Sequence, residues 1–556
     1  MRKIFVASPG TGKTTTLLNM VGQLLAAGVH PAKICFTTFT RHAAEDAVNK
    51  AVTAFGLTHK DFPYFRTLHS LAYRALVSPA LVENNREFYK ELYTYTGVPV
   101  SFLQSNMSIN PDRAVTFLGD LFLNIYSLAR NKQLDPRIVM QMYSQFTRVD
   151  FYAYTQFIKK YNELKERIEL IDYTDMIAIF LREKINVPVD YLFVDEYQDL
   201  TTLQNAMVNK IEQQGGVETV IAGDDKQSIY SFSGGDPKQL IDMVGERVVL
   251  NQSYRLKFNI LQFSEKIAAR IKNKTPYAIK PVAEGGKVEF IQSLRQLDLA
   301  NGTWLLLARL NANLDEYKVL CDEFGYKYID DTNNNAPAFA AIKVWESLRS
   351  GEWLTVDEFK LVLPFLESGT QIKHGAKKQI EMDDKPESKI NMGMLGMLYG
   401  VNSKESWYYT FKMPSYQKEI VRRMTQKEGP TSNPRIRIST IHGAKGLEAE
   451  KVCIIPQLSP SCQETLKNSP DDEHRVMYVA VTRAKDWLYV VFPLRYYYKK
   501  YPMGDAHAYA QLTRFAPASV QRLMDSRGGT SLETHEGPMT DEQIRAKIAK
   551  YWDRRF

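Results

Sequence analysis

Apolar positions along the chain follow two rhythms. Short unbroken runs, Ile4-Phe5-Val6-Ala7 after Lys3 and Tyr191-Leu192-Phe193-Val194, read as buried strands, and residues 219–222 read as another. Between the first two the spacing changes. Leu17, Leu18, Val21, Leu24 and Leu25 recur on one helical face, and Gly28 offers a stop. Residues 76–170 read as mostly helical and rich in rings, among them Phe151, Tyr152, Tyr154, Phe157 and Tyr161, which predicts an aromatic core rather than a binding stripe. Residues 369–391 hold Gly, Lys, Asp and Pro and read as loop. Near the end, Thr540 is placed to cap a short amphipathic helix through Ile544, Ile548 and Tyr551. No internal repeat is evident.

Composition changes this picture little. A chain of 556 residues is too long for one core, so several domains are expected. Hydrophobic residues at 44% and charged residues at 24% are ordinary for a soluble globular protein and exclude disorder as the main state. The net charge of +8 permits a polyanionic partner without demanding one. Half of that excess lies in residues 493–556, which carry 11 basic and 7 acidic side chains. The four cysteines form no C-x-x-C pair, which suits a reducing cytoplasm. No apolar run reaches the roughly 18 residues of a membrane span. The apolar start stops at Ser8-Pro9-Gly10, too soon for a signal peptide.

The chemistry begins at that stop. Ser8-Pro9-Gly10-Thr11-Gly12-Lys13-Thr14 lies between a strand and a helix, the context of a P-loop. Glycines let backbone N–H groups approach phosphate oxygens, and the helix N-terminus adds partial positive charge. Lys13 is placed to reach the β- and γ-phosphates, and the Thr14 hydroxyl to bind Mg²⁺. The first glycine of the motif is Ala7 here. The run at 191–194 ends in Asp195-Glu196, a carboxylate pair expected at the mouth of a parallel sheet. Asp195 would hold Mg²⁺ and Glu196 would activate the attacking water.

Further boxes carry a resemblance. They run in order: Thr37-Thr38-Phe39-Thr40, Thr67-Leu68-His69-Ser70, Ile171-Asp172-Tyr173-Thr174-Asp175-Met176, Asp195-Glu196-Tyr197-Gln198-Asp199 and Gly223-Asp224-Asp225-Lys226-Gln227-Ser228-Ile229-Tyr230. Gln252-Ser253-Tyr254-Arg255, Thr440-Ile441-His442-Gly443-Ala444-Lys445-Gly446-Leu447-Glu448 and Tyr478-Val479-Ala480-Val481-Thr482-Arg483-Ala484 complete the series. Together they resemble the motifs of the UvrD/PcrA/Rep group of superfamily 1 helicases.

That resemblance implies an α/β fold of two RecA-like P-loop domains with parallel sheets, each carrying a mainly helical insert, and ATP with Mg²⁺ between them. Gly10, Thr11, Gly12, Lys13, Thr14 and Thr15 would cradle the nucleotide. Gln227 would sense the γ-phosphate or its water, and Arg255 and Arg483 would act as arginine fingers. Tyr254 would stack on adenine and Glu448 would reach the ribose. Two departures bear on base preference: no glutamine box stands before Ala7, and Thr15 replaces a common arginine.

On the DNA side, Phe39, His69, Tyr230, Phe232 and His442 would line the path of a single strand, with Thr67 and Thr440 as backbone contacts. Phe232 and Ser233 stand where the family usually has Trp and Arg. Lys13 and Asp195 are too far apart for an uninterrupted core. The resemblance therefore places a first motor domain at 1–75 and 171–250 with an insert at 76–170. A second motor domain falls at 251–345 and 432–492, with a reduced insert at 346–431 and an extension at 493–556. The reduced insert holds 13 basic and 12 acidic residues, so charge does not mark it as a DNA-binding module.

The expected activity is an ATP-dependent DNA helicase moving 3′ to 5′ on single-stranded DNA, in a bacterial or virus-infected cytoplasm, as a monomer or weak oligomer. Single strands and their junctions with duplex are the expected partners. Stacking does not read the 2′-OH, so RNA stays open. A translocase that strips proteins from DNA, or a nucleotide-dependent DNA-binding scaffold, are the alternatives.

Overall fold

The computed structural model describes residues 2–102, 117–143, 146–330, 335–382, 387–401 and 405–492. The expected extension at 493–556, with its Tyr496–Tyr501 stretch and its capped helix, lies outside them. The strands in chain order are β1 Lys3–Ala7, β2 Ile34–Thr37, β3 Phe65–Arg66, β4 Tyr191–Val194, β5 Glu218–Gly223, β6 Glu246–Leu250 and β7 Lys287–Ile291. They continue as β8 Trp304–Ala308, β9 Tyr328–Asp330, β10 Leu354–Thr355, β11 Lys389–Ile390, β12 Ile436–Thr440, β13 Ala449–Ile455 and β14 Ala484–Val491.

Two six-stranded sheets result, ordered β3-β2-β4-β5-β1-β6 and β7-β14-β13-β8-β12-β9. Every pairing in both is parallel. Parallel sheets are covered on both faces, so their strands need side chains that are apolar on both sides. β8, Trp-Leu-Leu-Leu-Ala, is buried at all five positions for this reason. Register then fixes where the loops emerge. Val6 pairs with Gly223, and Val194 with both Thr37 and Ile221, so β1, β2, β4 and β5 end along one edge. The P-loop and the loops starting at Thr38, Asp195 and Asp224 therefore leave the sheet side by side.

Between β3 and β4 the chain builds helices Arg86–Thr96, Leu118–Lys132, Pro136–Met142 and Phe151–Arg167 around a separate core of Phe88, Phe122, Ile125, Tyr154, Phe157 and Tyr161. Most of its rings are buried, while Tyr152 is exposed. Arg130 and Lys165 hold Asp172 and Asp175, which box the N-terminus of the next helix, Tyr173–Arg182. This buried ion cluster fastens the helical region to the first sheet.

Residues 335–428 pack differently. Trp345, Phe359, Ile390, Leu395 and Phe411 share one core with Trp304, Leu306 and Ile438 of the second sheet. The stretch 369–391, read as loop, contains the helix Ala376–Glu381 and the strand β11. Buried Ala376, Ile380 and Ile390 anchor these two elements against the same core. No helix among the described residues is long and apolar enough to cross a membrane.

Candidate nucleotide and nucleic-acid site

β1 ends at the buried Ala7 and the helix Lys13–Ala26 begins six residues later. Gly10 and Gly12 have φ of 73° and 78°, the left-handed region where a side chain is strained. A Cβ on Gly10 would lie 2.4 Å from the Arg255 Cβ, so glycine also makes room for the second half of the chain. Ala7 has ordinary strand geometry and pairs with Leu250, which is why a methyl group is tolerated at the first glycine position.

The Thr14 hydroxyl donates to Asp195 Oδ2 at 2.5 Å. Two oxygen donors at the phosphate cradle suit Mg²⁺, which takes few protein ligands and fills the rest with water and phosphate. Burial and the neighbouring Glu196 push the Asp195 carboxyl up, and a bound cation would reverse that. Burial alone would raise Glu196 as well. The charges of Lys13 and Lys445 and a hydrogen bond from Gln198 Nε2, at 2.5 Å, hold it below the usual range instead. Glu196 thus stays ionised. Its φ of 52° lies in the left-handed region, unusual for a non-glycine residue.

The second sheet contributes from across a cleft of about 1030 Å³. Arg483 is buried and donates to Gln227 Oε1 at 2.7 Å. Burial, with the nearby Arg255, lowers its guanidinium to about 9. Arg255 donates to the Thr482 carbonyl at 3.2 Å and pairs with Glu448 at 2.5 Å. Glu448 also meets Lys485 at 2.6 Å, so the carboxylate expected at a ribose is held by two cations in this state. Tyr254 is 71% exposed, with its backbone N–H on the Gly10 carbonyl and its ring edge toward Gly12. Thr11, Gly12, Lys13 and Thr15 line the same cleft, and so does Thr38, whose buried hydroxyl has no hydrogen-bond partner among the described residues.

Four of the rings expected on a DNA path meet. Phe39 lies 4.9 Å from Tyr230, Tyr230 lies 5.9 Å from Phe232, and Phe232 lies 5.3 Å from His442. The cluster spans both sheets, and Tyr230 donates to the His442 carbonyl at 3.4 Å. His69 is elsewhere. It sits 3.4 Å from Gln204 Nε2 and edge-on to Tyr173, where burial pushes its pKa down to about 4. Thr67 caps the helix Leu68–Ala75 by accepting from Ser70 N–H, and Thr440 accepts from Gly443 N–H. Both hydroxyls are thus engaged in local backbone turns.

Three residues given no role from sequence join the site. Lys445 pairs with Asp199, donates to the Gln227 carbonyl at 2.7 Å and stands 5.1 Å from the Tyr230 ring centre. Burial pushes the Asp199 carboxyl up to about 7 despite that lysine. Asp224 accepts from Gln227 Nε2 at 2.7 Å. Lys445, Asp199 and Asp224 all stand inside recognised boxes, so they could have been singled out as charged motif residues.

Two parallel α/β sheets with a P-loop, a carboxylate pair and arginines facing them across a cleft define a two-domain P-loop nucleotide-binding protein. Comparison with known families agrees. The UvrD/REP helicase N-terminal domain matches residues 2–246, and the UvrD-like helicase C-terminal domain matches residues 402–494, together more than half of the chain. The chain belongs to the UvrD/PcrA/Rep-like superfamily 1 helicases.

Among relatives, the ATP-dependent DNA helicase Rep of Buchnera aphidicola subsp. Schizaphis graminum is 24% identical over 279 residues, 48% of this chain and 41% of that protein. The ATP-dependent DNA helicase PcrA of Staphylococcus epidermidis is 24% identical over 318 residues, covering 53% and 42%. The ATP-dependent DNA helicase UvrD2 of Mycobacterium tuberculosis is 21% identical over 543 residues, covering 86% and 75%. The aligned part of the chain thus spans less than half the length of the Rep and PcrA relatives.

Proposed function

We propose that this protein is an ATP- and Mg²⁺-dependent DNA helicase that translocates 3′ to 5′ on single-stranded DNA and separates duplex ahead of it. One observation carries the reading. Lys445 joins the nucleotide side, through Asp199 and the Gln227 carbonyl, to the Tyr230 ring of the aromatic cluster. A change at the nucleotide therefore has a direct route to the rings that would hold bases.

The geometry supports a role for each residue. Lys13 and the P-loop amides bind phosphates, and Thr14 and Asp195 hold the cation, which supplies charge neutralisation at the phosphates. Glu196 takes the proton of the attacking water. Arg255 and Arg483 face developing negative charge from the second domain, so hydrolysis is linked to closure of the cleft. Tyr254 offers a stacking face to the base, and Glu448 reaches the ribose once released from Arg255 and Lys485. Phe39, Tyr230, Phe232 and His442 stack successive bases without reading sequence.

The test is strand separation on duplexes with a 3′ or a 5′ single-stranded tail, beside ATP hydrolysis with and without single-stranded DNA. Preference for the 3′ tail and strong stimulation are expected. Absence of stimulation would remove the motor reading.

A second reading, a translocase that strips proteins from DNA with little unwinding, draws on the packing of residues 335–428. They share the core of the second sheet instead of forming their own. Fast streptavidin displacement from tailed DNA, with slow strand separation, would favour it.

A further inference from the structure

Tyr277 lies between the helix Phe258–Ala268 and β7, outside every recognised box. Its hydroxyl donates to Asp224 Oδ1 at 2.7 Å and accepts from Ser8 Oγ at 3.3 Å. Its ring lies 3.9 Å from the buried Lys226 ammonium. Two residues before it, the Thr275 N–H donates to Asp225 Oδ2 at 2.9 Å. Ser8, Asp224, Asp225 and Lys226 all sit on loops of the first sheet. Tyr277 and Thr275 belong to the chain that leads into the second.

Asp224 is fully buried, and as a carboxylate it can only accept. Oδ1 takes the Tyr277 hydroxyl and the Lys226 N–H, and Oδ2 takes Gln227 Nε2 at 2.7 Å. The Gln227 amide has one donating and one accepting end. With its nitrogen on Asp224, its oxygen must face Arg483, which donates to it at 2.7 Å. A flipped amide would set oxygen against carboxylate and NH₂ against guanidinium, two repulsive contacts. Tyr277, Asp224, Gln227 and Arg483 thus form one connected row of contacts, with Asp224 accepting from both of its neighbours.

We propose that Tyr277 is a positioning residue whose hydroxyl holds the Asp224 carboxylate in place against the Gln227 amide, so that nucleotide sensing depends on the segment that joins the two sheets. The inference rests on the nucleotide-motor reading above and deepens it. When the second domain moves away, Gln227 keeps its bond to Asp224 and loses the one from Arg483. The whole row of contacts from Tyr277 to Arg483 is then made only in the closed state.

The experiment is a double-mutant cycle in the full chain with Y277F and Q227A. Y277F keeps the ring over Lys226 and removes only the hydroxyl. Expected for Y277F are a loss of about tenfold in kcat for DNA-stimulated ATP hydrolysis, an unchanged KM for ATP and an unchanged thermal midpoint. In the Q227A background the same change should have no further effect. Full turnover in Y277F, or an undiminished tenfold loss on top of Q227A, would overturn the proposal. The cycle is also read on affinity for fluorescent mant-ADP with fluoroaluminate, against mant-ADP alone. If the wild-type protein hydrolyses no ATP with DNA, the motor reading fails. The binding cycle then decides the relay: coupling confined to the fluoroaluminate complex supports it, and additive effects overturn it.

Discussion

The Lys445 ammonium, in the loop after β12, forms an ion pair with the buried Asp199 carboxylate in the loop after β4. It also donates to the Gln227 carbonyl and stands over the Tyr230 ring. One side chain from the second sheet thus touches both the nucleotide loops and the aromatic cluster.

Replacing Lys445 with Met keeps the stem and removes the charge. Asp199 then keeps only the weaker influence of Lys13 against burial, so its carboxyl is pushed further up. Expected is a fall of about tenfold in the stimulation of ATP hydrolysis by oligo(dT), the scale of one charged hydrogen bond. Affinity for mant-ADP should stay within about twofold. ATPase titrations with and without DNA measure the first, fluorescence the second.

Glu196→Gln keeps the hydrogen-bonding shape of the side chain but not its basicity. Loss of a general base costs about 10²- to 10⁴-fold in turnover. Glu196→Gln should therefore bind ATP and fail to hydrolyse it. Lys13→Ala should lose nucleotide affinity as well. Filter binding of labelled ATP beside a phosphate-release assay separates the two effects.

Stability should also depend on pH through Glu83. This residue is 6% exposed and accepts from the Tyr173 N–H, and burial pushes its carboxyl up to about 7. A folded-state value above the unfolded one means the folded protein holds the proton more tightly. Its contribution is then present at low pH and lost as pH rises from about 4.5 to about 7. Glu83→Gln imitates the protonated form. It should match wild type at pH 4.5 and exceed it at pH 8, by about 3 kcal/mol at most. Urea midpoints at the two pH values check the sign.

The P-loop was legible because its parts are contiguous: strand, glycines, lysine and helix all lie within residues 3–26. The carboxylate pair was legible because an apolar run pointed to a strand end. Contacts between boxes were not, since Lys445 and Asp199 meet only after two sheets have folded and docked. Tyr277 had no sequence signal at all. Its importance lies in a hydroxyl position, not in a pattern. Apolar residues such as Trp345 and Phe359 announced burial but could not say against what. The shared core of residues 335–428 with the second sheet was therefore invisible, as were the short helix and strand within 369–391. His69 was read with the stacking rings because its box lines a DNA path in the family, while its packing against Gln204 and Tyr173 depends on the fold.

That last difference gives a test of the nucleic-acid track. Tyr230 touches Phe39, Phe232 and His442, so removing its ring opens the middle of the cluster. Stacking is worth about 1–3 kcal/mol per base. Tyr230→Ala should therefore weaken binding of oligo(dT) about 10- to 100-fold. The loss should be similar for dT and dA tracts, because a ring face does not read base edges. His69→Ala should change affinity by less than about threefold if stacking is confined to the cluster. Fluorescence anisotropy on labelled single strands at fixed salt measures both variants. Equal losses for the two would mean that the strand runs over the Thr67–Ser70 turn as closely as over Tyr230, and the path would have to be redrawn to include the cavity beside Arg41 and Arg66.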